Sequence, residues 1–138
     1  MSKSNVLASI VVAAIVAFIA SSVWYGIIFA GVWRTLAPGA SHPIGIGEMG
    51  AQFVRNLVVA AVLLRVIGLT GSVTLPRAVG VGILCWFGFQ AMAIAGSVIH
   101  ESYPLALYAI HTGDALVTTL LMSFVFGLWP KRAIRTDR

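Results

Sequence analysis

Charge is what this sequence has least of. Among its 138 residues 9% are charged and only four are acidic, where soluble domains average about a quarter charged. A water-soluble domain this short has no interior large enough for side chains that are 59% hydrophobic, because small domains leave much of their surface exposed. Lipid is the solvent that fits the composition. A single cysteine, Cys85, excludes an intrachain disulfide and a multi-cysteine metal site. Inside an apolar run beside Trp86 it reads as core filler rather than a redox centre. Ser-His-Asp, HExxH, phosphate-loop and CxxC words are missing as well, so nothing points to a familiar enzyme mechanism. The formal charge of +5 does not make a nucleic-acid binder either. The bases sit at the ends of apolar runs, above all Lys131, Arg132, Arg135 and Arg138, where membrane proteins carry their cytoplasmic anchors.

What is present is length of apolar sequence. Four runs, 5–33, 50–69, 77–99 and 105–129, each supply the roughly 20 residues that a helix needs to cross a hydrocarbon core. Barrel strands would be half as long and alternating. The first run resembles a secretory signal, with Lys3 ahead of it, but apolar sequence continues through Ile27 and Phe29, so it is expected to be retained. The connections 34–47, 70–76 and 100–104 are short, and the first is rich in Pro and Gly. Pro76 is well placed to open the third helix. Short connections make neighbours antiparallel. The expectation is an all-α, integral membrane, up-down bundle of four transmembrane helices, one domain over 1–138 with a basic tail at 130–138.

Orientation follows from the Lys and Arg residues on each side. With the N-terminus inside, Lys3, Arg65, Arg77 and the four tail bases make seven on the cytoplasmic face, against Arg34 and Arg55 outside. This predicts a multi-pass protein of a bacterial inner membrane with both termini in the cytoplasm. Trp33 and Trp129 fit interfacial aromatic belts.

Several short words recur in one known family. Val23-Trp24-Tyr25-Gly26-Ile27-Ile28-Phe29 through Trp33 resembles the first-helix signature of small membrane proteins known as domain of unknown function 1761. The stretch from Gly82 through Trp86-Phe87-Gly88-Phe89 is similar to it too, as are His100-Glu101-Ser102-Tyr103-Pro104, Ile110-His111-Thr112-Gly113 and Gly127-Leu128-Trp129. The resemblance covers nearly the whole chain and implies a four-helix bacterial inner-membrane protein, with no activity attached. It also implies an aromatic, usually Tyr, after the fourth-helix Gly. This chain has Asp114 there, so chemistry built on Asp114 is its own.

Ionisable groups inside a span cost about 2.5–3.5 kcal/mol each at the centre, so each needs a reason to be there. At about 1.5 Å per residue, His111, Asp114, Gln90, Arg55 and Asn56 all fall roughly 8–13 Å from the outer ends of their runs. Ser21, Trp24 and Tyr25 share that layer. On each helix the polar groups also share a face: His111, Asp114 and Thr118; Ser21, Trp24 and Tyr25; Gln52, Arg55 and Asn56; Trp86, Gln90, Ala93 and Ser97. Turned toward one axis they form a polar core or pocket. Such groups can satisfy one another, Arg55 with Asp114 or Glu101 and Gln90 with His111. They can equally hold a small ligand, a cation or a proton. A metal on His100, Glu101, His111 and Asp114 has no established spacing behind it, and no metal or cofactor is expected.

Ser9, Ala13, Ala17 and Ser21 repeat every four residues and allow close helix approach. Four thin helices gain burial by self-association, which points to a homo-oligomer. The leading functional reading is binding or transport at the polar layer. The alternative is an accessory subunit packed against a larger membrane complex. An enzyme comes third, with His111 and Asp114 its one acid–base candidate.

Overall fold

The structure, a computed structural model, describes residues 3–37, 44–71 and 73–129. Among these residues every regular element is helical: α1 Lys3–Val23, a π-helical turn Trp24–Ile28, α2 Ala30–Leu36, α3 Ile46–Leu69, α4 Leu75–Cys85, a second π turn Trp86–Ala91, α5 Met92–His100 and α6 Leu105–Leu128. Four stretches are long and apolar enough to cross a membrane, Ser4–Ile28, Ile46–Leu69, Leu75–His100 and Leu105–Leu128. The tail bases Lys131, Arg132, Arg135 and Arg138, and the Pro38 to Pro43 part of the first loop, lie outside the described residues.

Local chemistry explains most boundaries. The Glu48 carboxylate accepts the Gly45 amide at 2.9 Å and places a negative charge in the first turn. That starts α3 at Ile46, so Gly47 is helical rather than part of the loop. Pro76 stands in the first turn of α4, where its missing N–H costs nothing. Gly71, at φ +110, makes the turn before it. Ser102 takes φ 55 just beyond α5, and the amides of Glu101 and Tyr103 both reach the Ser97 carbonyl.

The first run is not one helix over 5–33. The Phe29 amide reaches back five residues to the Trp24 carbonyl at 2.9 Å, and Phe29 itself leaves the helical region at φ −110, ψ 13. One extra residue in the turn widens the backbone, and the non-helical Phe29 ends the span; α2 follows as a separate segment. The third span stays continuous through its own π turn, bounded by αR residues on both sides.

The spans pack in a ring. α1 lies against α3 and α6, and α4 against α6 and α3. Half of α6's most apolar stretch is buried, against 17–28% for the other three spans, so α6 is the central element. Ala13 and Ala17 are fully buried and meet Ala60, Leu63, Ile67, Ala78, Met122 and Phe126 in one core. The small residues of α1, Ser9 and Ser21 included, are therefore an internal seam. Phe18 meets Phe53 edge-on at 5.9 Å and ties α1 to α3. Outward faces carry large apolar side chains such as Leu7, Ile27, Val58, Leu84 and Phe89. Apolar outside and small or polar inside is the pattern of a membrane protein.

Candidate functional site

Two tryptophans hold α6 from opposite sides. Trp24 Nε1 donates to the Ile110 carbonyl at 3.0 Å, and Trp86 Nε1 to the Thr112 carbonyl at 2.8 Å. Each indole leaves from the first residue of a π turn, so the widened backbone aims both rings at the same helix. Backbone carbonyls in a helix keep a spare lone pair, and these two spend it fixing the rotation of α6.

That rotation sets the polar layer. Ser21 Oγ donates to Asp114 Oδ1 at 2.7 Å, inside the bundle. The Tyr25 hydroxyl and His111 Nδ1 are 2.7 Å apart, with ring centroids at 5.6 Å. Tyr103 folds back from the α5–α6 turn and stacks over His111 at 6.0 Å and 32°. Burial pushes its phenol up from the usual range. Gln90 donates to Thr119 Oγ1 at 3.1 Å, and Arg55 Nη1 to Gln52 Oε1 at 3.1 Å.

Between these groups lies a cavity of about 620 Å³. α3 contributes Arg55 and Val59; the third span contributes Phe89, Gln90, Ala93, Ile94 and Ser97. Tyr25, Tyr103, His111, Asp114 and Ala115 complete the wall. α3 meets the third span through α4, while α5 packs on α6. The cavity therefore occupies the space beside α3 at the α5 end of the bundle. Its size falls in the range of small-molecule pockets, roughly 300–1,000 Å³.

Of the residues expected at the site, Tyr25, Arg55, Gln90, His111 and Asp114 line the cavity. Ser21 stands behind Asp114, and Trp24 holds α6 rather than facing the space. Thr118 is buried and donates to the Asp114 carbonyl of its own helix at 2.8 Å. Asn56 does not join the site. It is 3% exposed, and its Nδ2 has no hydrogen-bond partner among the described residues. Neighbouring positions on a helix differ by about 100°, so Arg55 turns to the cavity and Asn56 into the bundle.

The expected pairings are replaced by others. Arg55 does not bond Asp114: the carboxylate is turned to Ser21 on α1, and the guanidinium is held by Gln52 one turn earlier on its own helix. Gln90 reaches Thr119, not His111. His100 and Glu101 are exposed at the end of α5. Among the described residues no three His, Cys, Asp or Glu side chains gather to hold a metal. Sequence reasoning missed Phe89, Tyr103 and Thr119 at the site, and the bracing role of Trp86. Thr119 is one residue from the chosen Thr118, a difference that face arithmetic resolves poorly.

A family model described as a protein of unknown function, DUF1761, matches residues 8–127. No curated protein and no solved structure matches the chain.

Proposed function

The chain belongs to the DUF1761 family of proteins of unknown function, and we propose that it binds or transports a small polar ligand at this cavity. We place it as a multi-pass protein of a bacterial inner membrane with both termini in the cytoplasm, so that the cavity lies in the outer half of the bilayer. One observation carries the functional reading: Arg55 and Asp114, opposite in charge, line the same cavity and do not pair with each other. Ionisable groups within spans are rare and mark substrate or ion pathways. The orientation rests on the seven-to-two asymmetry of Lys and Arg.

A high-resolution map of the protein purified in lipid tests the reading. Non-protein density between Tyr25, Gln90 and His111 is expected. The accessory reading draws on the pairs that close within the bundle, Ser21 with Asp114, Tyr25 with His111 and Gln90 with Thr119, which also serve to fix helix register. A cavity filled by side chains, with a partner protein on the outer faces, would favour it. Topology is tested separately. Reporter fusions after Lys3 and Arg138 should both report cytoplasm, and a cysteine at position 41 should label from outside.

A further inference from the structure

Granting that the cavity is a ligand site, we propose that its ligand is a zwitterion, with an ammonium held at Asp114 and a carboxylate or phosphate held at Arg55. Asp114 is 4% exposed and uses Oδ1 to accept from Ser21. Among the described residues its other oxygen has no hydrogen-bond partner, yet it is not sealed in, and the residue lines the cavity. A carboxylate in that position calls for a donor, and an ammonium offers three with no competing acceptor.

Arg55 presents the complementary half. Gln52 takes one guanidinium nitrogen and steadies the side chain, while the remaining donors of the fork have no partner among the described residues. A planar fork suits the two oxygens of a carboxylate or phosphate. The choice among ligand classes follows from charge balance in low dielectric. A lone cation would satisfy Asp114 and leave Arg55 unmatched, and a lone anion would do the reverse. Asp114 is buried, so its unanswered oxygen is the costlier deficit, and the exposed guanidinium of Arg55 gains less from its match. A ligand bearing both signs removes both deficits at once. The space is far larger than a bare ion needs, and Phe89 and Tyr103 offer aromatic surface to the body of the ligand or to its ammonium.

Two sources supply this chemistry, a free amino acid from the aqueous side or an ethanolamine phospholipid headgroup entering beside α3. The test uses the full chain in nanodiscs of phosphatidylglycerol, which carries no amine. Thermal unfolding is followed with added phenylalanine, phenethylamine or phenylpropionate, and in discs doped with phosphatidylethanolamine. Either phenylalanine or phosphatidylethanolamine should raise the unfolding temperature, which identifies the source. Both single-charge analogues should bind at least about tenfold more weakly, as expected when one member of a charge pair goes unanswered. Arg55→Gln, on an exposed side chain, should weaken the zwitterion at least about tenfold, and Ala93→Leu should do so by filling the cavity. Phenethylamine or phenylpropionate acting as strongly as the zwitterions would overturn this inference while leaving a cation or an anion site intact. If no probe shifts the transition and the map shows no density in the cavity, the binding reading falls with it.

Discussion

The indole of Trp24 lies against Gly113, so closely that a Cβ on that glycine would sit 2.8 Å from Cζ2. A methyl group there must displace a ring that is also hydrogen-bonded to Ile110. Gly113→Ala gains about 1 kcal/mol of helix propensity but overpacks the contact, at about 1–3 kcal/mol. The net expected effect is a loss of stability, read as a lower unfolding temperature in detergent. Gly96→Ala is the control, because nothing lies within 4 Å of a Cβ at that position. It should be neutral or stabilising by up to about 1 kcal/mol.

The indole bonds to α6 are separable from the ring packing. Trp86→Phe keeps most of the aromatic volume and removes the donor to the Thr112 carbonyl. The expected cost is about 0.5–1.5 kcal/mol in thermal or denaturant unfolding. A change within experimental error would mean that this bond contributes nothing to holding α6.

Ser21 and Asp114 should be energetically coupled. Ser21→Ala and Asp114→Asn each disturb the 2.7 Å contact, and a double-mutant cycle in mild detergent should return about 1–3 kcal/mol of coupling. The same cycle with Arg55→Gln and Asp114→Asn should return less, since the guanidinium bonds Gln52 instead. A reversed order would contradict the geometry.

Much of this architecture is legible in the sequence because bilayer thickness is a hard constraint. Apolar runs of about 20 residues have few other uses. The site is legible to a lesser degree. Depth along a helix comes from counting residues, and it brought Tyr25, Arg55, Gln90, His111 and Asp114 into one layer. Which neighbouring helix a side chain meets depends on how each helix is rotated, and a single sequence does not encode that visibly. Depth alone therefore matches Asp114 to the opposite charge, although its face is turned to Ser21. The break at Phe29 is hidden for another reason. It contains no proline, and a π turn changes hydrogen bonding without changing hydrophobicity.

Ser102 is a further position where side-chain identity should matter. At φ 55 it occupies the left-handed region, which costs a β-branched residue about 1–2 kcal/mol. Ser102→Gly should be tolerated or stabilising, and Ser102→Val should lower stability by about that amount. Because this turn brings Tyr103 over His111, the valine variant should also make a cysteine placed at Ser97 react faster with water-soluble thiol reagents. Unchanged reactivity would show that Tyr103 does not cover the cavity.

A π turn is a helix carrying one residue more than its hydrogen bonds require, which makes chain length at 24–28 and 86–91 a quantity with physical meaning. Shortening either segment by one residue would let it close as ordinary α-helix, and the residues beyond would keep their faces, because the π turn takes up the extra residue within itself. Beyond the second segment Ala93, Ile94 and Ser97 would stay on the cavity wall. Single-residue gaps in an alignment of relatives at these two places would mark proteins that have plain α-helix there and keep the same residues facing the cavity beyond it.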